Sequence, residues 1–291
     1  MIEAAADPAS NAGMTPTMPS LFVSHGSPMI ALEPGAAGAF MQRLGPALKS
    51  AAGTPRAVLA LSAHTMAREP VLLAAPRHEA IHDFGNFDPR LFTLRYDAPG
   101  DPALAQRVVG LLAPHGIAAR AIPEGGLDHG IWTALRYVFP QADVPVLPMA
   151  WNPHASPSSL FALGEALATL AAEGVLVLGS GSMTHDLRRV FSGGSLRPSP
   201  DSPEAADCAQ FRRWWHEAAT ARDWPALFGY RRLAPHAVSM HPTDEHLLPW
   251  FIAAGAGGRE STPVRLHDSV TFGCLGMDAY AFGPAAGALA T

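Results

Sequence analysis

The chain has 291 residues, 48% hydrophobic and 15% charged, with 28 prolines, 27 glycines and a formal net charge of −5. That apolar content can fill a large core, and it excludes a disordered chain, where apolar content is low and net charge high. The mildly negative balance lacks the concentrated basic footprint that nucleic acid requires, and Arg188-Arg189, Arg212-Arg213 and Arg231-Arg232 read as scattered, solvated faces.

Residues 1–18 are rich in Ala, Pro, Ser, Asn and Gly and read as a flexible tail. They lack the basic and apolar regions of a secretory signal. Short apolar runs then alternate with segments of helical period. Strands are expected at 21–24, 57–62 and 71–74, and helices at 102–113 and 131–139. A strand at 146–149, a helix at 158–172 and a strand at 175–178 follow. The segment 191–202 is a loop by its Gly, Pro and Ser content. Helices are expected at 203–219 and 244–254, and a strand at 269–272.

Buried strands alternating with helices predict a single α/β domain over 19–291, its central mostly parallel or mixed sheet flanked by helices. No stretch approaches the ~20 apolar residues of a membrane-spanning helix. The two cysteines, Cys208 and Cys274, form no CxxC motif and fit a reducing compartment. A cytoplasmic protein is expected, acting on neither membrane nor nucleic acid, with homo-oligomerisation left open.

The 13 histidines carry the functional signal. The run Leu21-Phe22-Val23-Ser24 ends in His25. Residues 57–62 lead through Ala63 to His64. The run 175–178 leads through Gly179-Ser180-Gly181-Ser182 to His185. A lone histidine at a strand end is usually a hydrogen-bonded turn residue. Three in the same structural position are harder to dismiss, because open α/β sheets bind ligands beyond the carboxyl ends of their strands and neutral imidazole is the commonest metal ligand. Small residues surround all three, and glycine allows close backbone approach.

Other histidines are less clear. His129 follows Asp128, which either orients an imidazole or caps the helix near Ile131. Thr243 is a candidate cap for a helix whose first turn carries Glu245 and His246. The irregular stretch 78–89, with His78 and His82, is a candidate substrate loop. Phe84, Phe87, Trp132 and Trp151 are candidate walls. His115, His154, His216, His236 and His267 read as surface or structural. HExxH, GxSxG and Walker motifs are absent, which leaves zincin proteases, nucleophile-elbow hydrolases and P-loop enzymes unsupported.

Seven ordered segments resemble a known family: LFVSHGSPM (21–29), LALSAHT (59–65), IHDFGNFDPRLFTLRYDAPG (81–100), GLDHGIWTAL (126–135), VLPMAWNP (146–153), VLVLGSGSMTHDLR (175–188) and HPTDEHLLPWFIAAGA (241–256). The chain resembles the class III, LigB-type extradiol ring-cleaving dioxygenases, in the branch of the 4,5-DOPA dioxygenases. The resemblance implies one divalent metal on His25, His64 and His246, with Fe(II) expected for activity and Zn(II) as an ion that can be found bound. It implies His185 as acid/base or a further ligand, and His129 as a second pocket histidine. Protocatechuate-type relatives use a glutamate as third ligand. Here Glu245 adjoins His246, and the DOPA-type pattern favours His246. The implied partners are a small catechol substrate and O2, and the implied reaction is extradiol ring opening with both oxygen atoms incorporated. Three histidines also suit a zinc hydrolase or amidase, and the same fold can serve a non-catalytic binding protein.

Overall fold

The computed structural model describes residues 17–191 and 198–290. Nearly all of the tail expected over 1–18, and half of the loop expected over 191–202, lie outside the described residues.

The central sheet contains β1 (Ser20–Ser24), β2 (Ala57–Ser62), β3 (Val71–Leu73), β4 (Arg120–Ile122), β5 (Val146–Ala150), β6 (Val175–Gly181), β7 (Val264–His267) and β8 (Ala279–Phe282). Their spatial order is β4-β3-β5-β2-β6-β1-β8-β7. The middle four strands, β5, β2, β6 and β1, are parallel. β3 pairs antiparallel with β5, and β8 antiparallel with β1, so the sheet is mixed. The α/β expectation holds.

Both faces of the sheet are covered, which is why its strands read as continuous apolar runs. Side chains alternate between the faces with period two. Leu21, Val23, Val58, Ala60, Leu176 and Leu178 pack with α1 (Gly35–Ala52) and α3 (His129–Val138). Phe22, Leu59, Leu61 and Val177 pack with α2 (Pro102–Leu112), α4 (Pro157–Leu167) and the helices Ala206–Thr220 and Pro249–Gly257.

Several expectations change. The long helix α1 was not expected, because Gly35, Gly38, Gly45 and Pro46 fall inside it and read as breakers. Gly45 is a packing residue: a Cβ there would run into the Val138 carbonyl oxygen of α3. The four-residue strand β8 carries too short a pattern to read, although it pairs directly with β1. The strand expected at 269–272 shrinks to Val270–Thr271, which pairs with Leu275–Gly276 outside the main sheet. The helix expected from 244 starts at Pro249. Residues 244–248 instead form a turn closed by Leu247 N–H to Asp244 C=O at 2.9 Å. Thr243 is no cap, since its hydroxyl donates to Glu245. Arg212 is buried, not solvated, and its guanidinium meets Glu204, Asp268 and Asp278.

Candidate metal centre

The strand order β2-β6-β1 places the carboxyl ends of three parallel strands side by side, and each is followed by a histidine. His25 continues β1 and donates its N–H to Gly181 C=O at 2.9 Å. His64 lies in the tight turn after β2, where its N–H meets Ser62 Oγ at 3.1 Å. His185 follows β6. The fourth strand-end group arrives from elsewhere. The 244–248 turn lies across the end of β6, with Ser182 N–H donating to His246 C=O at 2.8 Å. A Cβ on Gly181 would run into that same carbonyl, and one on Gly179 would meet the Pro249 carbonyl. The glycines of Gly179-Ser180-Gly181 thus make room for the segment carrying His246, not for a ligand.

Ring contacts bring five imidazoles together. His25 lies 5.1 Å from His64, 5.4 Å from His129 and 5.5 Å from His246 between ring centroids. His64 lies 4.0 Å from His129. His185 stacks on His246 at 3.4 Å and 13°. One ligand atom from each of His25, His64 and His246 falls within 4.8 Å of the others. His64–Asp83–His129 and His185–Glu245–His246 satisfy the same criterion.

Hydrogen bonds at the backs of the rings assign which nitrogen stays free. Ser180 Oγ gives its only proton to Gly130 C=O at 2.5 Å, so it must accept from His25 Nδ1–H at 2.9 Å. Glu245 Oε1 accepts from His246 Nδ1–H at 3.0 Å. Asp83 Oδ1 accepts from His129 Nδ1–H at 3.0 Å. In all three rings Nε2 keeps its lone pair, the arrangement found around metal-bound histidines. The Nε2 atoms of His25 and His64 approach to 3.2 Å. The donor set therefore fits a borderline cation that takes several imidazoles.

Electrostatics agree with that fit. Burial and the neighbouring imidazoles hold His25 and His246 well below the usual histidine range. Burial also lowers His64 and His185 to about 4. These rings are neutral at pH 7, as a metal ligand must be.

Two acidic groups shape the site, and their roles differ from those expected. Asp128 neither orients His129 nor caps α3 with its side chain. Its carboxylate accepts from Ser62 at 2.7 Å and Thr65 at 2.5 Å, clamping the turn that carries His64. Asp83 does the work given to Asp128, accepting from both the backbone N–H (2.9 Å) and the ring of His129. Burial opposes ionisation of Asp83, but the hydrogen bonds from His129 outweigh it and hold the carboxyl below its ordinary range. Asp83 and Ser180 were missed in the sequence because nothing in spacing relates 83 to 129 or 180 to 25.

A cavity of about 530 Å³ opens onto His25, His64, His129, His185 and His246. Phe84 and Phe87 line it, as expected for walls, together with Leu187, Phe191 and Leu275. Trp132 and Trp151 are fully buried instead and donate to the carbonyls of Ile81 and Ser62. His82 is not among the described residues that line the cavity; its ring meets Leu94 C=O at 3.2 Å and packs edge-on against Phe84. His78 is buried away from the site among Ala75, Gly100 and Gly125.

Ser180→Ala removes the partner that fixes the His25 tautomer while leaving the ring. Metal affinity is expected to fall ~10–100-fold, the usual cost of losing such a partner, read as the dissociation constant in a chelator competition. Unchanged affinity would show that His25 does not depend on Ser180.

The description "catalytic LigB subunit of aromatic ring-opening dioxygenase" matches residues 19–283 of the chain. A protein named 4,5-DOPA dioxygenase extradiol from Beta vulgaris is 33% identical over 270 residues, covering 90% of this chain and 96% of that protein. One of the same name from Escherichia coli K12 is 34% identical over 262 residues, covering 89% and 93%. The crystal structure of an uncharacterized protein from Escherichia coli K12 superposes with a TM-score of 0.71 at 28% identity, covering 91% of this chain and all of that one.

Proposed function

The chain belongs to the family of the catalytic LigB subunit of aromatic ring-opening dioxygenases, and on that premise we propose that it opens the ring of a catechol-type substrate with O2 at a metal held by His25, His64 and His246. The observation that carries this reading is the convergence of imidazoles whose Nδ1–H groups are already committed to Ser180 and Glu245. When bound, a ferrous ion supplies the open positions where diol and O2 meet and the electrons that activate O2. His185, stacked on His246 at the cavity wall, is placed to take a proton from a substrate hydroxyl. His129, its Nδ1–H held by Asp83, presents Nε2 to a substrate oxygen. Asp83, Ser180 and Glu245 keep these rings from turning. Phe84 and Phe87 exclude water from one side of the bound ring. No helix among the described residues is long and apolar enough to cross a membrane, which is compatible with a cytoplasmic location.

Iron(II)-loaded protein supplied with a catechol and O2 should give a yellow ring-opened semialdehyde acid, with both oxygen atoms incorporated and cleavage outside the diol. Product cleaved between the two hydroxyl-bearing carbons, or full activity under strict anaerobiosis, contradicts the reading. Zinc-loaded protein that hydrolyses esters or amides while iron-loaded protein leaves catechols untouched would favour a hydrolase. Zinc bound after purification would not count against iron, because zinc outcompetes it at such ligand sets.

His185→Ala is expected to keep most of its metal and lose turnover by ~10²-fold or more, the worth of a positioned proton-transfer group. Metal content and kcat measured on one preparation separate the roles. Loss of the metal itself would make His185 a ligand.

A further inference from the structure

His246 reaches the site on an irregular turn, and a side chain on a turn is only as well placed as the contacts that tie the turn down. The inner side is tied to the end of β6. His241 Nε2–H donates to Met183 C=O at 2.9 Å, and His246 C=O accepts from Ser182 N–H at 2.8 Å. Met240 C=O accepts from His185 N–H at 2.7 Å, so the ring that stacks on His246 is held along the same seam.

The outer side borders a second cavity, of about 500 Å³, whose lining includes Tyr230, Arg231, Asp244 and Leu248. Where the turn faces that space, polar contacts support it in place of packing. Arg231 reads in the sequence as part of a solvated face, and its side chain is 38% exposed. Its Nη1 nevertheless donates both to His241 C=O, at 2.9 Å, and to Asp244 Oδ1. One nitrogen thus bridges the segment 241–244. Asp244 Oδ1 also accepts from the hydroxyl of the buried Tyr230 at 2.6 Å. The Asp244 carbonyl accepts from Leu247 N–H at 2.9 Å and Leu248 N–H at 3.2 Å, which closes the turn around His246. Asp244 therefore links this turn to the helix Tyr230–Leu233. A ligating side chain must be held within ~0.5 Å of its productive position, and these bonds supply that constraint from outside the site.

Resting on the reading of His246 as a ligand, we propose that Asp244, held by Tyr230 and Arg231, is the positioning residue that fixes the His246 turn for metal binding.

The full chain loaded with Co(II) tests this without turnover. Paramagnetic Co(II) moves the ring N–H signals of bound histidines outside the ordinary proton NMR range, and the His246 signal is the one that His246→Ala removes. Asp244→Ala should shift or broaden that signal alone. It should also raise the Co(II) dissociation constant ~10-fold, the low end of an outer-partner loss, because Asp244 acts through the turn. Asp244→Asn keeps an oxygen for both donors and should recover most of the affinity. Arg231→Met leaves the Tyr230 bond and should weaken binding by less. Its Tm should fall by under about 4 °C, since exposed pairs add little to global stability. This variant decides the matter by itself if Asp244→Ala does not fold. An unmoved His246 signal with unchanged affinity overturns the proposal, as does a disturbance spread equally over every bound histidine, the mark of general loosening. Asp244→Asn no better than Asp244→Ala overturns it too. The underlying reading fails separately: if His246→Ala removes no Co(II)-shifted signal, His246 is not a ligand, whatever Asp244 does.

Discussion

His246→Ala protein should purify without stoichiometric divalent metal and should show no ring opening above background after iron reconstitution. Of the three proposed ligands, this side chain alone is delivered by a turn packed across a strand end and not by the residues that continue the strand. Its position is set by the Ser182 N–H to His246 C=O bond and by Glu245 behind the ring. Removing it leaves His25 and His64, whose two nitrogens make a far weaker site than a facial set of three. The loss should exceed the ~10–100-fold that removal of an outer partner costs. Glu245→Gln is the comparison: its amide oxygen can still accept from His246 Nδ1–H, so metal should be retained with a modest loss of affinity. Metal content by mass spectrometry and a titration after chelation give both answers. If His246→Ala keeps its metal and Glu245→Gln loses it, the glutamate is the third ligand and the assignment is reversed.

The second large effect concerns stability. Asp278→Ala should lower unfolding free energy by about 3 kcal/mol, the loss of two charge-assisted hydrogen bonds worth ~1.5 kcal/mol or more each. In a chain of this size that corresponds to a Tm lower by roughly 10 °C. Asp278 is fully buried and accepts from Arg212 Nε at 2.7 Å and Nη2 at 3.1 Å. Arg212 would then keep only Glu204 and Asp268, which are partly exposed. The same residue joins the network to the strand ends. Its backbone carbonyl accepts from Ser24 Oγ at 2.8 Å, and Ser24 Oγ accepts from Met183 N–H at 3.1 Å. Pairing Asp278→Ala with Arg212→Met removes both charges and should recover part of the loss, giving a double mutant less destabilised than the two single changes summed. Additive effects in thermal denaturation would show that the two residues are not coupled.

The sequence by itself determined the α/β class and the strands that bear the site. β1, β2, β5 and β6 are buried on both faces, so their apolar runs are unbroken, and a histidine beyond such a run must emerge at the sheet's edge. His25, His64 and His185 could be selected on that ground alone. His129 and His246 needed the family resemblance, because each sits at the end of a segment whose own pattern is ambiguous. What only the tertiary structure decided is how these rings are held. Asp83, not the adjacent Asp128, orients His129, and Ser180 fixes His25 across 155 positions of sequence. Such hydrogen bonds leave no periodicity, since one polar residue in a loop or strand end looks the same whether it meets water or an imidazole. The glycines misled for a related reason. Gly45 lets α1 pack on α3, and Gly181 lets the His246 turn cross β6. Both look like breakers locally, because the need for close approach belongs to a partner that only folding supplies.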